Sequence, residues 1–146
     1  MAAFSVQGME ALSNAFKSST GMPDGTKKEM LTAMGEVAAA EVKKSGESYG
    51  IRNAESSQHI LDKISLGKPK VKGDGGSVTI TFKGTRTDAK HKTATRNAEI
   101  AFINEFGKKG QKARPFIKNA IDGKQDKIID AGLEVFDKWL DSTFSD

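Results

Sequence analysis

The sequence predicts an α+β fold: a small antiparallel β-sheet packed against helices, with a long α-helix at the C-terminal end. Three observations point to it. Apolar residues recur every three or four positions before residue 46 and again after residue 115. Between Lys70 and Lys83 the period shortens to two, and Asp74, Gly75 and Gly76 supply a turn inside that stretch. The 146 residues, 36% hydrophobic and 29% charged, fit one domain, 1–146, with a single core.

In chain order, Met9, Leu12 and Phe16 mark a short amphipathic helix, which "TGMPDG" at 20–25 interrupts. Thr26 and Glu29 then have the spacing of a capping box. A helix is expected from there to Gly46, with Met30, Met34, Val37, Ala38 and Val42 on one stripe and Lys43 and Lys44 near its end. Residues 53–64 predict a short helix or turn, with Ile60, Leu61 and Ile64 inward. A hairpin follows, and in its second strand Val78, Ile80 and Phe82 face the core. The segment "GTRTDAKHKTATR" has no apolar period and predicts an exposed, flexible basic loop around 84–97. "NAEIAFINEFG" admits helix or strand; Ile100, Ile103 and Phe106 favour helix, although Phe102 then lies on another side. From Pro115 to about Ser142 a long amphipathic helix is expected through Ile117, Ile121, Ile128, Leu133, Phe136, Trp139 and Leu140. Gly123 and Gly132, each costing about 1 kcal/mol of helix propensity, mark a kink or a close crossing.

Several chemistries find little support. There is no cysteine, hence no disulfide, thiolate nucleophile or Cys-ligated metal. No phosphate-binding glycine loop or dinucleotide fingerprint is present, and no cofactor is expected. Nor does the sequence show an apolar run of membrane-spanning length or a signal peptide. Asp122, Asp126 and Asp130 share a helix face at i,i+4 spacing but alternate with Lys124 and Lys127, the pattern of solvated charge and not of a metal site. Glu99 and Glu105 are too far apart to be a close acid–base pair on one helix. His59, with Ser56 and Ser57 nearby, reads as structural, and His91 lacks a rigid partner shell. The expectation is a protein without catalytic activity.

Charge is distributed unevenly. Residues 1–66 carry 7 basic against 8 acidic groups, residues 67–118 carry 13 against 4, and residues 119–146 carry 3 against 7. The basic middle offers Lys83, Arg86, Lys90, Lys92 and Arg96, then Lys108, Lys109 and Lys112, for contact with phosphates or with an acidic surface of another subunit. Asp122, Asp126 and Asp130 are the matching candidate acidic interface.

"NEFGKKGQKARPF" at 104–116 joins two apolar elements through a basic, glycine-bearing turn. Gly107 and Gly110 let the connection turn. Pro115 biases Arg114 to extended angles and suits the first turn of a helix that Phe116 anchors in the core. The Arg114 guanidinium is placed to reach a carboxylate or backbone carbonyls, with Glu105 the candidate partner, unless it is simply solvated. Glu105, Phe106, Gly107, Arg114, Pro115 and Phe116 together read as a structural clamp.

The stretch "EIAFINEFGKKGQKARPFIKNAI", 99–121, resembles a motif of the minor tail or tail-completion (head–tail joining) protein family of long-tailed bacteriophages and prophages. Glu105, Phe106, Gly107, Ala113, Arg114, Pro115, Phe116 and Ala120 occupy the matching positions. Lys108 stands where family members often have Thr, and "SSQHILDKISLG" matches only the end of the family's segment before the first strand. The resemblance implies a noncatalytic role in virion assembly, at the tail or head–tail junction, after synthesis in the host cytoplasm. It implies self-association into a ring, expected to be hexameric, beside connector, tail-terminator or tail-tube proteins. The alternative is a DNA-binding accessory protein using the basic 83–96 arm nonspecifically. No membrane partner is expected.

Overall fold

The computed structural model describes residues 4–5, 22–51, 59–73, 75–88 and 91–144. The expected helix through Met9, Leu12 and Phe16, the serines 56 and 57, and Lys90 lie outside the described residues, as do the side chains of His91 and Lys92.

Helix α1 spans Asp24–Ser48 and is the spine of the molecule. It begins at Pro23, whose extended angles place it at the N-cap, and Lys27 donates its backbone N–H to the Pro23 carbonyl. Thr26 and Glu29 therefore lie inside the helix, and the expected capping box is not formed. Proline outcompetes it because its fixed φ and missing N–H suit the point of helix entry. Nor does α1 end at Gly46. That residue is buried within the helix, where an added Cβ would collide with Leu61 and come 3.2 Å from the Phe116 ring. Glycine here is a close-packing residue, not a stop.

A 3-10 turn, Ile60–Lys63, leads into strand β2, Ile64–Leu66. A hairpin follows as β3, Lys70–Lys72, and β4, Gly75–Ser77, with Val71 opposite Gly76. Gly75 and Gly76, expected in its turn, instead pair in its second strand, Gly76 lying where a Cβ would come 2.7 Å from Leu31, and Val78, Ile80 and Phe82 fall beyond that strand. Strand β5, Thr79–Phe82, is the centre of a three-stranded antiparallel sheet, β2 on one side and β1, Phe4–Ser5, on the other. Ile80 lies opposite both Leu66 and Phe4. Val78, Ile80 and Phe82 are all buried, as the alternation requires.

The basic segment expected to be a loop pairs instead into a hairpin, β6 at Thr85–Asp88 and β7 at His91–Arg96, with an irregularity between Arg86 and Asp88. Thr85, Thr87, Thr93 and Thr95 are β-branched and favour extended backbone even without an apolar period. Helix α2, Asn97–Phe106, starts where this hairpin closes: Asn97 donates its backbone N–H to the Gly84 carbonyl and its side-chain amide to the Lys83 carbonyl.

The predicted C-terminal helix is two helices. Helix α3, Phe116–Gly123, ends at Lys124, whose φ of −126° and ψ of 23° break the spiral, and α4 runs from Gln125 to Phe144. Helices α3 and α4 both pack on α1. Met30, Met34, Ala38 and Val42 of α1 meet Phe116, Ile117, Ala120 and Ile128 in one core with Ile80 and Phe82.

One polar pair fastens this packing. Glu41, buried on α1, accepts hydrogen bonds from Lys127 of α4 at 2.7 Å and from Lys44 at 3.5 Å. The Lys127 hydrogen bond, working against the burial, holds the Glu41 carboxyl below its ordinary value of 4.5. A depressed folded-state value makes the unfolded chain the better proton acceptor. The contribution is therefore present above pH 4.5 and lost as the pH falls through and below it. Glu41→Gln is expected to lower the thermal midpoint at pH 7 and to matter progressively less toward pH 3. A difference that stays constant over that range, followed by circular dichroism, contradicts this assignment.

Candidate functional site

The 104–118 region is built by three short elements meeting end to end: the last turn of α2, a tight turn, and the first turn of α3. The α2 sequence decides how it presents itself. Its buried residues are Asn97, Ala98, Ala101, Asn104 and Glu105. Ile100 and Ile103 are only half-buried and Phe106 is exposed, so the expected inward face is rotated. Ala98 and Ala101 let the helix lie close against β5 and the 3-10 turn, and the small face wins over the large one.

Glu105 is 3% exposed, and both its carboxylate oxygens point at the start of α3. The backbone N–H of Ile117 donates to Oε2 at 2.8 Å and that of Lys118 to Oε1 at 2.9 Å. With Pro115 at the N-cap, these are the second and third helical N–H groups, normally capped by the local side chain. Proline has no such side chain, so a carboxylate twelve residues before Ile117 does the work. Its charge also faces the positive end of the α3 dipole.

Arg114 is therefore not paired with Glu105, the expected partner. Its Nη2 donates to Asn104 Oδ1 at 2.6 Å and its Nη1 to the Tyr49 carbonyl at 3.4 Å, while its backbone N–H donates to the Asn104 carbonyl at 2.6 Å. Asn104 is oriented in turn by donating its amide to the Ile100 carbonyl at 2.9 Å. Asn119 bonds the Tyr49 hydroxyl, so α3 is tied to the end of α1 as well. Pro115, with φ −75° and ψ 67°, lies just before α3 and not inside it, at the centre of an inverse γ-turn closed by Phe116 N–H on the Arg114 carbonyl at 2.7 Å.

Between these bonds, Lys108 and Gln111 exchange backbone hydrogen bonds of 3.0 and 2.9 Å around Lys109 and Gly110, with Gly110 at φ 83°. Gly107 has φ 77° and ψ 178°, a region essentially closed to other residues. A Cβ there would lie 2.8 Å from the Gln111 carbonyl oxygen and 2.9 Å from the Ala113 nitrogen, both backbone atoms. Gly107→Ala is expected to cost about 2 kcal/mol of stability, read from urea denaturation; a midpoint equal to wild type contradicts the assignment.

Of the expected clamp, Glu105, Gly107, Arg114, Pro115 and Phe116 meet in this knot. Phe106 does not: it is 59% exposed and packs on Phe102, itself 48% exposed, with ring centroids 4.7 Å apart. Asn104 and Tyr49 are members the sequence reading missed. Nothing in the spacing marks Tyr49, although Asn104 precedes the clamp directly.

Among the described basic candidates, Lys83, Arg86 and Arg96 lie on or beside the β6–β7 hairpin that precedes α2, and Lys108, Lys109 and Lys112 follow α2. Lys83 is exposed before β6, and Arg96 at the end of β7 is paired with Glu99 at 2.7 Å. Lys108, Lys109 and Lys112 are exposed on and just after the turn. Among the acidic candidates, Asp122 pairs with Lys118 at 3.0 Å, and Asp126 and Asp130 are exposed on α4. Among the described residues, no group of three or more His, Asp or Glu side chains is placed to hold a metal, and no helix is long and apolar enough to cross a membrane. Comparison with protein-family models, curated proteins and solved structures finds no match to the chain.

Proposed function

We propose that the chain is a noncatalytic structural protein of phage or prophage morphogenesis, acting in tail completion or head–tail joining through assembly into a ring. The reading is supported by the resemblance over 99–121 and by one observation on the same residues. The two charged groups of that motif, Glu105 and Arg114, are bonded to the chain's own backbone and to Asn104. A motif that uses its charges to fix its own shape suits a scaffold whose outer surface does the work. The neighbours would be connector, tail-terminator or tail-tube proteins, and the site of action the virion.

The test is genetic. Deleting the coding sequence from the genome that encodes it is expected to leave unjoined heads and tails and to abolish infectious particles. Complete particles in normal yield overturn the reading. Binding of the purified chain to duplex DNA that weakens steeply with salt, alongside that normal yield, would instead favour DNA contact through the 83–96 arm.

A further inference from the structure

We propose that the Phe102–Phe106 pair, with the lysines that follow it, is a docking surface for the outer edge of α4 in a second copy of the chain. The inference rests on the assembly reading above and names the two surfaces that meet.

Among the described residues, this pair is where large apolar side chains are exposed. Phe102 and Phe106 stand out from α2 as exposed large hydrophobics among the described residues, and they already pack ring on ring. An aromatic pair on a helix held at both ends is a preorganised anchor. Immediately beyond it the turn carries Lys108 and Lys109, with Lys112 close behind, all exposed. An occupant must therefore combine apolar side chains with carboxylates.

Helix α4 has such an edge. It packs on the core through Ile128, Val135, Phe136 and Trp139. At about 100° per residue, Leu133 and Leu140 lie well off that face, and both are half-buried. Asp126, Asp130 and Asp137 fall beside them and are exposed. The cations of this helix are engaged within the chain, Lys127 on Glu41 and Lys138 on Glu134. The edge is thus acidic and apolar, the complement of the aromatic pair with its basic rim. Self-pairing of two Phe102–Phe106 surfaces would offer the lysines no exposed carboxylate on that helix beyond Glu99, which is already paired with Arg96, and this disfavours a symmetric dimer. Because the two surfaces differ, each copy offers one to each neighbour, a heterologous contact that builds a ring or a filament.

The experiment is light scattering behind a sizing column on the full chain, from dilute to concentrated solution, with circular dichroism confirming each fold. Wild type is expected to exceed 15.7 kDa as concentration rises. Phe102→Ser with Phe106→Ser should weaken association about tenfold or more. Lys108→Glu with Lys109→Glu, and separately Asp130→Lys with Asp137→Lys, should each weaken it, and a 1:1 mixture of those two variants should restore it. That restoration is specific to contact between these two surfaces, because each reversed surface then meets its reversed complement, and a mass beyond two chains marks the contact as heterologous. Wild type fixed at 15.7 kDa, association unmoved by the Phe substitutions, or no restoration in the mixture overturns the proposal. An oligomer unmoved by the Phe substitutions removes this interface alone; the assembly reading is judged separately, by particle yield on deletion.

Discussion

Glu105→Ala lowers the stability of the folded chain by about 4 kcal/mol, since each of two N–H groups left without its acceptor costs about 1–3 kcal/mol and the helix cap goes with them. The Ile117 N–H is buried and the Lys118 N–H partly so, which limits how far water can replace the carboxylate. Glu105→Gln keeps one acceptor oxygen and should lose roughly half as much. Urea denaturation of the three proteins reads this order directly. A Gln variant as damaged as the Ala variant would mean that both acceptor oxygens are needed, since the new NH2 faces an N–H donor, and an Ala variant with wild-type stability would show that the carboxylate does not cap α3.

Phe116→Ala is expected to cost about 4 kcal/mol, within the range for emptying a phenyl site in a packed core. The ring is fully buried, stands edge-on to Phe82 at 6.1 Å, and lies beside Gly46 of α1. Removing it opens a void where α1, β5 and α3 converge, and the tight approach at Gly46 leaves little room for collapse. Phe106→Ala provides the internal contrast, because its exposed ring should change monomer stability by only about 0.5 kcal/mol. Both can be compared by thermal and chemical denaturation in dilute solution. Equal losses at the two positions would contradict the burial on which the site description depends.

The contrast between these two phenylalanines also shows what a sequence can reveal. Phe116 was legible because Pro115 marks a helix entry and Ile117, Ala120 and Ile121 continue an apolar period after it. The period-two run at Val78, Ile80 and Phe82 was legible for the same reason: burial and backbone repeat agree. Phe106 misled, because hydrophobicity says a residue prefers burial, while close packing decides which face gets it. On α2 the alanines won. The basic hairpin was missed because its strands carry threonines and charges in place of apolar side chains, so only β-branching hinted at extension. Glu105 and Arg114 were located correctly but joined wrongly. Opposite charges ten residues or so apart invite pairing on paper, whereas the folded chain had two bare helix N–H groups to satisfy at the same spot.

The knot between α2 and α3 also bears on the order in which the chain acquires its shape. Apart from the Arg114 and Asn119 bonds to Tyr49, its hydrogen bonds join residues no more than 13 positions apart. Closing a loop of that length takes on the order of 10–100 ns, and local contacts of this kind speed folding. The pairing of Phe4 with Ile80 joins positions separated by more than half the length of the chain, and so carries a larger closure entropy. The α2–turn–α3 unit is therefore suited to nucleate, with the first strand docking late on a sheet edge already formed. Amide hydrogens at Ile117 and Lys118 should then gain protection during refolding before those at the β1–β5 seam.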